Sequence, residues 1–180
     1  MLAFTAGDKT VEYFDISDNF FADVIEKVRK HTLTLTSGVE AAWALYQSIE
    51  YIVRNDIPGD IVECGVWSGG SVLLATHALI HFGDTSRRIF LYDTFRGMPR
   101  PDELDVRWDG VPALPTWERF QQTGKKWGFG GPQDHVRNVV FSSGYPEENF
   151  VFVEGLVEDT LPGTRPETVS LPRLFNARYL

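Results

Sequence analysis

A chain of 180 residues is long enough for one domain with a core of useful size. It carries 17 Lys and Arg against 25 Asp and Glu, which gives a net charge of −8. The sequence has no large basic cluster, so it lacks the positive surface that nucleic-acid binding needs. The one cysteine excludes an internal disulfide, and no stretch approaches the roughly 18 apolar residues of a membrane span. We therefore expect a soluble, untargeted, cytoplasmic protein that binds neither nucleic acid nor membrane.

The first 58 residues predict a helical segment that packs on the core. Apolar residues at helical spacing predict one helix over residues 18–30 and another that runs from Val39 to just before Pro58. Residues 37–40, Ser-Gly-Val-Glu, form a capping box for the second helix. The connector between the two helices is rich in threonine, and Thr34 and Thr36 serve either loop structure or a bound ligand.

The chain is organised around a strand, a glycine turn and a helix between residues 60 and 82. Ile61 to Cys64 is a short apolar run, typical of a buried strand. Glycine turns at a helix start suit a bound nucleotide because the backbone can approach it closely. A dinucleotide fingerprint needs glycine where Trp67 stands, so a pyrophosphate has no room. The remaining pattern, E-x-G-x-x-x-G from Glu63, favours a nucleoside with a cationic, phosphate-free tail, and S-adenosylmethionine fits this better than NAD.

A second strand, residues 88–93, ends in Asp93. An ionised carboxylate at this place can accept hydrogen bonds from both ribose hydroxyls of an adenosine. The alternative is a turn or helix-capping aspartate. The combination of Asp93 with the glycine turn favours the ribose interpretation.

The rest of the chain adds a long irregular segment and one more strand. Residues 99–132 lack clear periodicity but carry three tryptophans, which predicts a lid or binding loop whose aromatic rings either stack on a substrate or form a satellite core. Residues 133–142 predict a helix and residues 149–154 a third strand. His77 and His81 lie one helical turn apart without an evident third ligand, so we expect no zinc site.

Several motifs, in this order, resemble the macrocin and mycinamicin O-methyltransferase family. They are the runs at residues 34–37, 51–71, 92–99, 143–146 and 157–162. The resemblance implies a class I methyltransferase with a Rossmann-like α/β sheet and helices on both faces. Such an enzyme transfers the methyl group of S-adenosylmethionine to a hydroxyl of a small molecule, a macrolide sugar in the named members. It also implies a partial cofactor-binding domain over residues 59–180, with residues 99–132 as an insert.

The resemblance implies a set of cofactor-binding residues and no catalytic residue. At the amino-acid end of the cofactor these are Glu63, Gly65 and Ser71. Trp67 would line the site and Asp93 would bind the ribose. Val157 and Glu158 would border the adenine. Thr36 and Ser37 would close the pocket from its N-terminal side.

The resemblance breaks down at the end of the chain. The family implies Mg²⁺ held by an aspartate that follows the last strand, but Phe175 stands at that position, and Pro172 lacks the N–H that a central strand needs. We therefore expect a truncated or frame-shifted C-terminus without metal ligands. Two functions stay open, an O-methyltransferase and a non-catalytic nucleoside-binding remnant, while Trp67 disfavours an NAD-dependent oxidoreductase. The expected partner is a small-molecule hydroxyl acceptor, and a homo-oligomer is compatible with the sequence.

Overall fold

The computed structural model describes residues 2–6, 9–13, 15–32, 39–107 and 109–174. Helices and strands alternate through most of this part of the chain, as expected for an α/β fold. In chain order they are β1 (Leu2–Ala6), β2 (Lys9–Tyr13), α1 (Asn19–Val28), α2 (Glu40–Arg54), β3 (Asp60–Cys64), α3 (Gly70–Phe82), β4 (Ile89–Asp93), α4 (Ala113–Gln122), α5 (Gln133–Phe141), β5 (Phe150–Glu154), α6 (Val157–Thr160) and β6 (Val169–Leu174).

The four strands β3 to β6 form one parallel sheet in the order β5-β4-β3-β6. The chain enters at β3, moves outward through β4 and β5, and then crosses back to place β6 on the other side of β3. This reversal of direction beside β3 is the switch point at which parallel α/β sheets bind ligands. In the described sheet β6 is an edge strand, a position at which proline is tolerated.

One face of the sheet carries the main hydrophobic core. Alternate residues of the strands, such as Ile61, Leu91 and Leu171, belong to this core together with buried residues of α1, α2, α3 and α5. Helix α3 is buried along most of its length, because α1, α2 and α5 all pack around it. Leu74 is fully buried in this helix, and truncating such a leucine to alanine costs about 2–5 kcal/mol of stability. The helix that follows the glycine turn is therefore held in place from several sides.

The opposite face of the sheet has a smaller apolar cluster formed by Val62, Cys64, Phe90, Tyr92 and Val153. It is covered by α6 and by residues 161–166, and the Tyr92 hydroxyl donates a hydrogen bond to the Thr164 carbonyl. Cys64 is buried there, and burial raises the pKa of its thiol. The expected class, a Rossmann-like α/β sheet with helical segments on both faces, is thus confirmed.

The N-terminal segment is only partly helical. Helix α1 starts close to the predicted boundary, with Asp18 as its N-cap, and the Asp18 carboxylate accepts a hydrogen bond from the Phe21 N–H at 2.9 Å. The described residues 2–6 and 9–13 instead form the strands β1 and β2 of an antiparallel hairpin, which corrects the expectation of a helical segment over residues 1–58. Tyr13 ties this hairpin to α2 by donating to the Glu40 carboxylate at 3.2 Å. The predicted capping residues Ser37 and Gly38 lie outside the described residues.

The insert at residues 99–132 contains more regular structure than its sequence predicts. Helix α4 lies within it, and Pro115 is tolerated there because the first turn of a helix lacks internal N–H partners. The indole N–H of Trp117 donates to the Met98 carbonyl at 3.1 Å, and the rings of Phe120 and Trp127 stack at 6.3 Å. The described tryptophans of the insert are half-buried and contact other residues near or within the insert, which favours the satellite-core alternative over an open stacking surface. None of the described helices has the length and apolar character needed to cross a membrane.

Candidate functional site

The candidate site lies at the carboxyl edge of the sheet, over the switch point beside β3. β3 ends at Cys64, and the turn of residues 65–69 leads into α3. Gly65 and Gly69 have φ angles of +85° and +87°, a conformation that glycine adopts without steric cost. Gly65 also donates its N–H to the Tyr92 carbonyl at 2.8 Å, which joins the turn to β4. The predicted strand, glycine turn and helix are confirmed.

Asp93, the last residue of β4, braces this turn. One carboxylate oxygen accepts hydrogen bonds from the Val66 N–H at 2.7 Å and the Trp67 N–H at 3.1 Å. The other accepts from the Phe95 N–H at 2.7 Å. A carboxylate offers about four lone-pair positions, so these three bonds leave room for about one more. Asp93 therefore does have the turn-capping role that was the alternative interpretation, and its contact with a ribose stays a prediction.

Two residues held by Asp93 have unusual backbone conformations. Trp67 and Phe95 both have a φ angle of +51°, in the left-handed region that bulky side chains rarely adopt. Each such residue costs about 1–3 kcal/mol, and residues of this kind cluster at functional sites. The three backbone hydrogen bonds to Asp93 hold both residues in place, which indicates a turn whose shape is fixed before any ligand binds.

Glu63 is the second-last residue of β3, two positions before Gly65, and is almost completely buried, with 4% exposure. Arg173 donates from Nη1 to Glu63 Oε1 at 2.5 Å, and the two residues are direct neighbours in the register of β3 and β6. Burial raises the pKa of Glu63 to about 7; the guanidinium of Arg173 opposes this shift and the charge of Asp93 reinforces it. The predicted acid is thus a buried, paired carboxylate on the strand that leads into the turn.

The turn is also held by a side-chain cluster that sequence reasoning missed. The buried Ser68 hydroxyl lies 2.8 Å from His135 Nε2 and 3.5 Å from His31 Nδ1, and the two rings are 6.0 Å apart. Burial, followed by the charges of Lys30 and His135, lowers the pKa of His31. These residues are far apart in sequence and match no motif, so only the fold brings them together. They connect α5 and the end of the first helical segment to the glycine turn.

Two close backbone contacts complete the surroundings of the turn. A Cβ atom added to Gly130 would lie 2.3 Å from the Trp67 carbonyl carbon, and one added to Gly70 would lie 2.4 Å from the His31 carbonyl oxygen. The insert and the first helical segment therefore both touch the turn through glycine. The Thr32 hydroxyl lies 3.4 Å from the Ser71 hydroxyl at the start of α3.

The remaining predicted site residues either lie outside the described residues or are farther from the glycine turn. Thr36 and Ser37 lie outside the described residues, although the chain before them reaches Ser71 through Thr32. Val157 and Glu158 open α6 directly after β5. They share the carboxyl edge with the turn but lie two strands away from β3, and both are exposed. The structure brings Glu63, Gly65, Trp67, Ser71 and Asp93 together and leaves Val157 and Glu158 at the far side of the edge.

The histidines on α3 take part in helix packing. His81 stacks on Phe20 with ring centroids 3.9 Å apart, and burial lowers the pKa of His77. No group of three or more His, Cys, Asp or Glu residues suited to a metal ion occurs within the described ranges.

Residues 30–179 match the family model described as Macrocin-O-methyltransferase (TylF). The chain belongs to this family. It is 30% identical over 149 residues to the 8-demethyl-8-(2,3-dimethoxy-alpha-L-rhamnosyl)-tetracenomycin-C 4'-O-methyltransferase of Streptomyces olivaceus, covering 83% of this chain and 53% of that protein. It is 26% identical to the demethyldecarbamoylnovobiocin O-methyltransferase of Streptomyces niveus, covering 79% of this chain and 51% of that protein.

A solved structure supports the same fold. The O-methyltransferase NovP superposes with a TM-score of 0.63 at 25% identity, covering 80% of this chain and 55% of that one. This TylF-family chain therefore spans about half the length of the relatives that it matches. The structure and the family together place the glycine turn, Glu63 and Asp93 in the sheet of a methyltransferase fold.

Proposed function

We propose that this chain forms the cofactor-binding part of an S-adenosylmethionine-dependent O-methyltransferase that acts on a hydroxyl of a small natural product. The observation that carries the proposal is the turn after β3, which has Trp67 where a dinucleotide fingerprint needs glycine and whose backbone N–H groups are bound by Asp93. Family membership supports the same reaction. The relatives named above are O-methyltransferases, which favours oxygen as the atom that receives the methyl group.

The donor groups around the turn fit this cofactor. Glu63 and Asp93 lie at the carboxyl ends of neighbouring strands, close enough for the charge of Asp93 to affect the pKa of Glu63. Such an anionic site attracts a ligand that carries a sulfonium and an ammonium group. The open lone pair of Asp93 suits one ribose hydroxyl. The Ser71 hydroxyl, at the start of α3, lies on the side proposed for the amino-acid end.

The chain's own residues contribute binding and orientation. S-adenosylmethionine, when bound, supplies a methyl group that an oxygen nucleophile can attack. The fixed turn and Asp93 would hold the adenosine, and Glu63 would attract the charged end, so that the methyl group is held in one position before the acceptor arrives. The fixed shape of the turn means that little ordering is left to be done on binding.

The metal that the family implies has no fitting ligand set among the described residues, because no suitable group of acidic, histidine or cysteine side chains is found there. We therefore assign no step to Mg²⁺. For the acceptor we propose a hydroxyl on a glycosylated natural product, since the tetracenomycin relative is named for methylation at a sugar-bearing substrate.

Calorimetric titration of the purified chain with S-adenosylmethionine, and separately with NAD, tests the cofactor. We expect S-adenosylmethionine to bind and, at a hundredfold excess over its Kd, to add about 2.7 kcal/mol to the free energy of unfolding. NAD should give neither heat nor stabilisation. Binding of NAD, or no binding of S-adenosylmethionine, would overturn the proposal.

Transfer of a labelled methyl group from S-adenosylmethionine to a panel of demethylated glycosides, with and without Mg²⁺, tests the reaction. We expect label on a hydroxyl oxygen of at least one glycoside. Tight cofactor binding with no transfer to any member of the panel would favour the non-catalytic alternative.

A further inference from the structure

We propose that Arg173 is a positioning residue for the cofactor site, which acts by keeping Glu63 anionic beside the glycine turn. This inference deepens the proposed function and rests on it. Arg173 belongs to β6, the strand that the chain places next to β3 after it reverses direction. The residue therefore reaches the site across the switch point.

The geometry of the pair is specific. Glu63 and Arg173 occupy paired positions of two parallel strands, and their charged atoms are 2.5 Å apart. The side chain of Glu63 is only 5% exposed and that of Arg173 is 19% exposed. A carboxylate buried to this degree stays ionised only if a charged partner or several hydrogen bonds compensate the loss of water.

The groups around Glu63 shift its pKa in opposite directions. Burial and the carboxylate of Asp93, on β4, raise the pKa of Glu63, whereas Arg173, on β6, lowers it by charge and by its hydrogen bond. Cys64, the next residue of β3, is uncharged because burial and Glu63 itself raise the pKa of its thiol. Without Arg173 only the raising influences of these groups remain, and Glu63 would take up a proton at a higher pH than the value of about 7 that applies with Arg173 in place.

A protonated Glu63 would lose its attraction for the cationic end of the cofactor while the turn, Trp67 and Asp93 stay in place. The effect of Arg173 on binding should therefore depend on pH, which a merely structural role for the residue would not produce. The favourable effect of Arg173 on binding should also vanish when Glu63 is replaced by Gln, which cannot carry a charge. These two features separate positioning from general support of the fold.

The test is the Kd for S-adenosylmethionine between pH 6 and pH 9 in the wild type, Arg173→Met, Arg173→Lys, Glu63→Gln and the double variant E63Q/R173M. If the pKa of Glu63 rises by about one unit, its ionised fraction at pH 7 falls from about one half to about one tenth. We therefore expect Arg173→Met to bind about fivefold more weakly at pH 7 and to recover toward pH 9. Arg173→Lys should retain most of the affinity. Titration of the ligand's own amino group is shared by all variants and cancels in their ratios.

The double variant protects the test against misfolding, because removing both charges leaves no uncompensated buried ion. We expect E63Q/R173M to bind at least as tightly as E63Q, because the positive charge of Arg173, no longer offset by Glu63, repels the cationic end of the ligand. The two variants should have the same pH profile. A weaker double variant would show that Arg173 acts independently of Glu63, and this would overturn the inference. So would an unchanged pH profile in Arg173→Met.

Failure of the proposed function gives a different pattern. If the wild type does not bind S-adenosylmethionine, the cofactor assignment is wrong. The effect of Arg173 on Glu63 is then read from NMR titration of ¹³C-labelled glutamate in the ligand-free protein. An equal pKa of Glu63 in the wild type and in Arg173→Lys, with a higher one in Arg173→Met or Arg173→Gln, supports the charge relation, and equal values in all variants contradict it.

Discussion

Asp93 shows how one side chain serves both structure and a proposed function. Its carboxylate accepts three backbone N–H groups, two from the glycine turn and one from Phe95. Hydrogen bonds to a charged acceptor are about twice as strong as neutral ones. The residue therefore stabilises the strained turn and still has about one lone pair for a ligand.

Replacing Asp93 by asparagine should weaken S-adenosylmethionine binding by about 1–3 kcal/mol, because charge-assisted hydrogen bonds become neutral while the shape is kept. Titration calorimetry measures the loss. Glu154→Gln is the matched control, since Glu154 also ends a strand of the sheet but is exposed and pairs with Arg96, where surface pairs contribute about 0–1 kcal/mol. Lower protein stability with unchanged cofactor affinity would mean that Asp93 only braces the turn.

The sequence predicts Asp93 as a site residue but not its bonds to the turn. Its place at the end of an apolar run is enough to predict the first of these, its role as a site residue. The second depends on the register of β3 and β4, in which Cys64 lies opposite Tyr92, and a single sequence does not reveal register. The same holds for Ser68 and His135, whose contact links parts of the chain that no motif joins.

The elements differ in how clearly their sequences predict them. Helix α3 ends at Phe82 with Gly83 in a left-handed conformation, as predicted, because its apolar residues and C-terminal glycine agree. Helix α4 buries only Ala113, so it lacks the apolar stripe on which such a prediction depends. The N-terminal hairpin was missed although the Gly7-Asp8 pair, between runs containing threonine and valine, is a hairpin signal.

The contact between the insert and the glycine turn can be tested through Gly130. Its backbone lies against the Trp67–Ser68 peptide, and a Cβ atom would approach that peptide to 2.3–2.4 Å. Gly130→Ala should therefore push the insert away from the turn, lower the melting temperature and weaken cofactor binding. Thermal denaturation and calorimetry measure the two effects.

Gly163→Ala is the matched control for this variant. Its Cβ atom would meet only the Thr160 carbonyl oxygen, at 3.9 Å, so it should be neutral or stabilise by up to about 1 kcal/mol through the unfolded chain. Equal behaviour of the two variants would show that the insert does not support the turn.

At the scale of the whole molecule, the sheet places a buried charge pair where the chain reverses direction. The main core on one face and the smaller cluster on the other leave Glu63 and Arg173 enclosed at the carboxyl edge. A buried pair of this kind contributes little net stability, because desolvation offsets the attraction between the charges. The place of this pair beside the glycine turn is therefore more simply explained by the site than by the fold.

Glu63 should also make the stability of the whole chain depend on pH. Its pKa is about 7 in the folded state against 4.5 for the ordinary group, so between these values the folded chain binds the proton more tightly. Its contribution is then fully present below about pH 4.5 and is lost as pH rises through about 7, by about 3 kcal/mol in total. Asp84 acts in the opposite sense, because burial raises its pKa but the hydrogen bonds from Ser86 and Arg87 together outweigh burial and lower it. The contribution of Asp84 is therefore lost only in acid.

Urea unfolding of the wild type and of Glu63→Gln between pH 4.5 and pH 9 isolates this effect, because Asp84 and all other groups are common to both proteins. The wild type should lose stability relative to the variant as pH rises from about 4.5, and the loss should be nearly complete a little above pH 7. A difference between the two proteins that does not vary with pH would show that Glu63 is already ionised throughout this range. The stabilisation of the charged carboxylate by Arg173 would then outweigh the destabilisation by burial. In that case protonation of Glu63 would not lower the cofactor affinity of the wild type between pH 8 and pH 6.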